Sequence, residues 1–272
     1  MRKRNLEFPS LRLGGTSWVV QGNFSDNLQY LSKEVSDMEV VLFDTPENSN
    51  MPSCAEVSML KELCEAHQMS CTVHFPVDIC VSGSVSDLRV SEDLCLRTIK
   101  LLAPLEPFAW IMHIVGEKRG NPPSSEIDTW LEKSARSIEK LARAVSDKRK
   151  ICIETLDYDP LYVELLALAA GTSICLDVGH LVRCGYPVLD TAKRCVEMTR
   201  VLHLHGVRPD GTDHVDLSYF DTELFESITE IMSDGEEKVM TIEVFEDDYD
   251  RSLEVIEKIR TEALSQSSIH IR

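Results

Sequence analysis

The sequence predicts a (β/α)8 barrel held as a single domain. Three observations lead there. Short β-branched runs alternate with longer helical patterns eight times along the chain, and such alternation implies parallel strands joined by right-handed crossovers. The length, 272 residues, is the usual size of a closed eight-fold barrel. Neither GxGxxG after the first strand nor GxxxxGK[ST] occurs, so the common nucleotide-binding open sheets lack their phosphate loops here.

Taken in order, residues 11–15 read as the first strand and 24–35 as its helix. Strand 39–43 leads to helix 53–67, where Ser53 and Glu56 have capping-box spacing. Strand 71–75 leads to helix 85–102. Strand 108–115 is followed by a Gly-, Pro- and Ser-rich loop, 116–125, and by the amphipathic helix 126–145. Strand 151–155 leads into helix 160–170, which Gly171 closes. Strand 173–177, helix 188–198, strand 201–205, helix 219–232, strand 239–245 and helix 250–264 complete the series. The domain is read as 11–264, with a flexible tail over 265–272.

Composition narrows the function classes. There are 28 Lys and Arg against 46 Asp and Glu, a formal charge of -18. Non-specific nucleic-acid affinity needs cations that neutralise phosphates, and the only basic runs are 1–4 at the terminus and 148–150 at a helix end. Nucleic acid is therefore not the expected partner. No apolar run approaches the length of a membrane span, and no secretory leader pattern follows the basic start. The nine cysteines are odd in number, form no CxxC pair and sit in apolar patterns, which suits buried thiols in a reducing compartment. A cytoplasmic protein acting on a small molecule is the expectation.

The strand ends carry the chemistry. The third and fourth strands end on His74 and His113, the fifth on Glu154, and the sixth on Asp177 with His180 three residues on. The seventh ends His203-Leu204-His205 and the eighth ends on Glu243. In a barrel these ends form the active-site face. One register serves both site and core. Two residues before each of these ends stand Thr72, Ile111, Cys152, Cys175, Val201 and Thr241, uncharged residues that a packed inner layer can hold. Carboxylates and imidazoles converging without cations would leave uncompensated buried charge. Divalent cations remove that cost, and the mixed His and carboxylate set suits Zn, Mn, Fe or Co alike. His67 and His270 lie off this face and are read as ordinary surface histidines.

This strand-end set resembles the xylose-isomerase-like barrels, which include sugar phosphate isomerases and epimerases and endonuclease IV. The resemblance implies a metal quartet of Glu154, Asp177, His203 and Glu243. His74, His113, His180 and His214 match the added histidines of the three-metal phosphodiesterases in that superfamily, with Glu154 shared between two metals. An aspartate two residues before the last histidine would be usual; Thr212 stands there, with Asp213 next to His214. His205 is read as binding substrate or a metal. A narrower resemblance spans about 11–245. Gly15-Thr16-Ser17-Trp18, Cys175-Leu176-Asp177-Val178-Gly179-His180 and Leu202-His203-Leu204-His205-Gly206 are similar to segments of the bacterial cobamide-remodelling phosphodiesterases. That likeness implies two or three divalent metals and a corrinoid substrate. It further implies hydrolysis of the nucleotide loop to cobinamide phosphate and a ribazole, with Glu154, Glu243 and His180 catalytic. Trp18 and Tyr186 are candidates to stack on the macrocycle. The alternative is a sugar phosphate isomerase or epimerase with one metal, in which Glu154 and Glu243 move the proton. An abasic-site endonuclease is disfavoured by the acidic charge, and a corrinoid-binding protein without activity is a further non-enzymatic reading.

Overall fold

The computed structural model describes Phe8 and residues 10–269; the basic run at 1–4, His270 and the last two residues lie outside them. The strands are Leu11–Thr16 (β1), Asp37–Val41 (β2), Ser70–His74 (β3) and Trp110–Met112 (β4), then Ile151–Glu154 (β5), Ser173–Asp177 (β6), Thr199–Leu204 (β7) and Lys238–Ile242 (β8). They close into a barrel in which each strand pairs with its sequence neighbours and β1 pairs with β8. Every pairing is parallel. The fold is the single-domain (β/α)8 barrel that the alternation predicted.

The helices are Phe24–Leu31 (α1), Cys54–His67 (α2), Val85–Leu102 (α3), Ile127–Ala142 (α4) and Pro160–Ala170 (α5), then Val178–Cys184 (α6), Val188–Cys195 (α7), Thr222–Met232 (α8) and Asp247–Ile269 (α9). Their starts follow the local chemistry. Ser53 and Glu56 make the reciprocal capping box of α2, and Gly171 ends α5 in the left-handed region. Thr72, Ile111, Cys152, Cys175, Val201 and Thr241 are all fully buried, so the inner layer inferred from the two-residue period is present. All nine cysteines are free. Among the described residues no helix is long and apolar enough to cross a membrane.

Three differences matter. The fourth strand was expected to run over 108–115, but it breaks at His113. Ile114–Val115 then pairs with Ile79–Cys80 in a separate two-stranded ribbon. Two buried aromatics hold that segment: Trp130 Nε1 donates to the Val115 carbonyl at 3.2 Å and Tyr158 Oη to the Ile114 carbonyl at 2.7 Å. The break turns His113 toward its neighbours instead of continuing the barrel ladder. Second, α6 was not expected. It is seven residues long, below what hydrophobic periodicity resolves, and its start is set by Asp177. Third, α9 is continuous to Ile269, past the expected end at 264, so the segment read as a tail falls partly on this helix.

Candidate metal centre

Six of the eight strands, β3 to β8, bring donor side chains to one end of the barrel, and the donor atoms there fall into overlapping groups. His74, His113 and Glu154 form one; Glu154, Asp177, His203 and Glu243 form a second; Asp177, His180, His205 and His214 form a third; and Glu154, Cys175 and His203 form a fourth that reaches into the inner layer below. Within each group the donor atoms lie within 4.8 Å of one another. Glu154 belongs to the first, second and fourth groups and Asp177 to the second and third. Its Oε2 is 3.1 Å from His113 Nε2, 3.5 Å from His74 Nε2 and 3.6 Å from His203 Nδ1.

Most of the histidines are held from behind. His74 Nδ1 donates to the Phe75 carbonyl at 3.1 Å, His113 Nδ1 to Asp78 at 2.8 Å, His180 Nδ1 to the Thr155 carbonyl at 3.1 Å, and His203 Nε2 to Glu39 at 2.9 Å. With one nitrogen committed as donor, the other carries a lone pair, which is how proteins prepare imidazole ligands. His74 Nε2 and His113 Nε2 then face each other at 3.1 Å, so that a proton or a cation has to lie between them. His205 departs from this pattern. Its Nδ1 accepts the backbone N–H of His214 at 3.0 Å and its Nε2 lies 3.2 Å from Asp177 Oδ1.

Asp177 links helix and centre. Its Oδ1 accepts the His180 N–H at 2.6 Å and caps α6, leaving Oδ2 for the site. Gly179 admits the His205 ring: a Cβ there would collide with the imidazole. His205 also stacks on His214, with centroids 4.1 Å apart. His214 sits in the left-handed region at φ 54, a conformation costing about 1 kcal/mol for a residue with a Cβ. Strain of this kind persists where the surroundings dictate it.

Five buried atoms of this centre lack a hydrogen-bond partner: Glu154 Oε2, Asp177 Oδ2, His203 Nδ1, His205 Nε2 and Glu243 Oε2. Buried polar atoms are normally satisfied. Orphans concentrated on carboxylate oxygens and imidazole nitrogens, all facing one another, fit cations as their missing partners. The donor types also fit zinc-like ions.

With no cation bound, the carboxylates and imidazoles shift one another. Burial by itself would raise Glu154, yet the His113 and His203 imidazoles hold it well below the usual carboxylate range. Glu243 is likewise lowered, against its burial, by His203 and His214. Burial would lower His113, but Glu154 and Asp78 raise it well above the ordinary imidazole range. For His214, Glu243 and Asp177 outweigh burial and the value rises to about 9.

The expected ligands His74, His113, Glu154, Asp177, His180, His203, His214 and Glu243 all meet here. His205 is fully buried beneath His214 and joins the third group. Asp213, beside Thr212, pairs with Arg183 and stands 3.4 Å behind His214 Nδ1, so Asp177 supplies that group's carboxylate. Trp18 is 41% exposed, tilts against Phe43 and lines a cavity of about 290 Å³. Tyr186 instead packs its ring against the apolar core and does not line the cavity of about 660 Å³ over the centre. Two residues escaped sequence reasoning. Glu39 lies 164 positions from His203, and the only local signal was a carboxylate inside an apolar strand. Asp78 lies in the turn after β3.

The structure thus defines a closed parallel barrel with a buried His and carboxylate centre at the C-terminal strand ends. Its fold is that of the xylose-isomerase-like barrels. A D-tagatose 3-epimerase-like protein superposes with a TM-score of 0.69 at 17% identity, covering 96% of this chain and 100% of the other. A xylose isomerase domain protein from Planctomyces limnophilus gives 0.67 at 12%, covering 94% and 97%. IolI protein with a binding zinc atom gives 0.66 at 12%, also covering 94% and 97%. No protein-family model and no curated protein sequence matches the chain.

Proposed function

We propose that this chain is a metal-dependent phosphoester hydrolase. The observation that carries the proposal is the number of donor groups. Three of the four groups are built of His and carboxylate alone and are linked through Glu154 and Asp177, whereas a single-metal sugar enzyme needs only the quartet of Glu154, Asp177, His203 and Glu243. His74, His113, His180 and His214 have no role in the smaller chemistry.

In the proposed roles, His74, His113 and Glu154 hold one divalent cation, the quartet holds a second, and Asp177 with His180, His214 and His205 provides the third site. Such cations polarise phosphoryl oxygens and acidify water. The chain's own groups do the rest. Glu39, Asp78 and the Phe75 and Thr155 carbonyls fix the ring orientations. The buried floor excludes bulk water from the carboxylates, and the open cavity admits the ester. The narrower sequence likeness makes a corrinoid nucleotide loop the proposed substrate and Trp18, which lines a cavity separate from the one over the centre, a candidate to stack on the macrocycle.

The second reading is a sugar isomerase or epimerase. It is favoured by the fold neighbours, one titled as D-tagatose 3-epimerase-like and one as carrying a zinc atom. Glu154 and Glu243, within one donor group, would then be the proton-transfer pair.

Elemental analysis of the purified protein, paired with incubation on cobalamin and mass detection, separates the two. Two or more cations per chain and release of cobinamide phosphate are expected. One cation, an intact corrinoid, and deuterium wash-in from solvent into a ketose would overturn the hydrolase and establish the second reading.

A further inference from the structure

The wall of the main cavity on the side of the 116–125 loop carries cations, although the whole chain is strongly acidic at -18. Lys118, Arg119 and Arg183 line the same space as His113, His180 and His214. Four carboxylates line it too, and each is already engaged. Asp78 accepts from His113 at 2.8 Å, and Glu117 accepts from Ser124 and Ser125. Asp157 accepts the Gly120 N–H at 2.9 Å, and Asp213 pairs with Arg183. Among the described residues neither Lys118 nor Arg119 makes a salt bridge, and Lys118 is only near enough to Glu117 to help hold that carboxyl low.

The loop that presents them is tied down on both sides. The Glu117 N–H donates to the Pro123 carbonyl at 2.7 Å, and Gly116 has no room for a Cβ against that carbonyl. Gly120, at φ +93, turns its N–H onto Asp157 from the loop after β5. Two uncommitted cations are thus held on a shaped loop, above a floor of histidines.

We propose that Lys118 and Arg119 form an anion-gripping lip that holds the phosphoryl oxygens turned away from the metal centre, selecting a phosphoester over a neutral sugar. This inference rests on the hydrolase reading. Hydrolysis of a phosphodiester breaks one P–O bond, places a water oxygen on phosphorus and passes a proton to the leaving alcohol. The phosphoryl group goes from one negative charge to nearly two at neutral pH. A lip of two cations favours that growth in charge and retains the monoester product. Arg is suited to bidentate contact with such oxygens, and Lys acts as a point charge.

The test uses the zinc-saturated full chain and inorganic phosphate in calorimetric titration. Lys118→Ala combined with Arg119→Ala is expected to weaken phosphate binding by about tenfold or more, with zinc content unchanged and a shallower salt dependence. Removing two exposed cations from α4 and its C-cap, by Arg136→Ala with Arg143→Ala, is expected to leave phosphate affinity intact. Unchanged affinity in the Lys118/Arg119 variant overturns the lip while a hydrolysed phosphodiester still supports the hydrolase. Absence of phosphate binding to the zinc-loaded parent protein overturns both.

Discussion

Glu154 is the residue on which the centre turns, because its carboxylate is common to three donor groups, two of them built of His and carboxylate alone. Glu154→Gln keeps the volume and removes the charge. The expected result is loss of bound cation from both groups and a fall in turnover on the order of 10³-fold, since each cation supplies several kcal/mol of charge stabilisation. Full metal content and normal turnover in this variant would defeat the proposed roles. Glu39 acts at one remove. It is fully buried and its Oε2 meets His203 Nε2 at 2.9 Å, so it sets which nitrogen of His203 faces Glu243. Glu39→Gln is expected to weaken zinc affinity about 10–100-fold, while zinc at His74 and His113 is retained. A Co²⁺-substituted sample reads this directly, because the visible spectrum follows ligand geometry and does not follow general stability. An unshifted spectrum and unchanged affinity would reduce Glu39 to a packing residue.

Elements explain how short stretches reach the centre. The α6 helix begins on Asp177 and carries His180 one turn later, so one carboxylate both caps a helix and faces the site. Gly179 lies inside that helix. By propensity alone, Gly to Ala in a helix stabilises by about 1 kcal/mol. Here the added Cβ would strike the His205 imidazole, and displacing a packed ring costs typically 1–3 kcal/mol, so the collision prevails. Gly179→Ala is expected to lower the melting temperature and release the cation of the third group. Calorimetry and elemental analysis check both, and a raised melting temperature with full metal content would show that His205 has room to move. The break of β4 at His113 is an element-level device of the same kind. Trp130 and Tyr158 hold the residues that follow His113 outside the barrel ladder, a kink that strand periodicity did not show.

The pH behaviour belongs to the whole molecule. In the metal-free protein the raised value of His214, about 9 against 6.5, contributes stability that is complete below pH 6.5. That contribution is lost as pH climbs through 9. The lowered Glu154 and Glu243 contribute stability that is present above the ordinary carboxylate range and lost as pH falls through their depressed values. His214 and Glu243 are two sides of one interaction, counted once. Chelated protein is therefore expected to be most stable between about pH 4.5 and 6.5, and denaturant melts across pH 4 to 10 check this. Zinc affinity should run the other way, rising with pH towards 9 as His214 gives up its proton. Flat stability from pH 6.5 to 9 after chelation would mean that His214 is not paired with Glu243 in solution.

The barrel was legible in the sequence because eight strand and helix periods recur, and a two-residue period separates inner from outer faces. The same register exposed His74, His113, Glu154, Asp177, His203 and Glu243, since strand ends in a barrel converge whatever their separation along the chain. Local pattern could not supply what depends on distance across the barrel or on a single turn. That includes Glu39 behind His203, Asp78 behind His113, the burial of His205 under His214 against Gly179, and the packing of Tyr186 into the core. The residues of the centre were set by the sequence. Their grouping into overlapping sets was decided only when the closed barrel brought six strand ends within ligand distance, because closure fixes spacing between strands that no one-dimensional period contains.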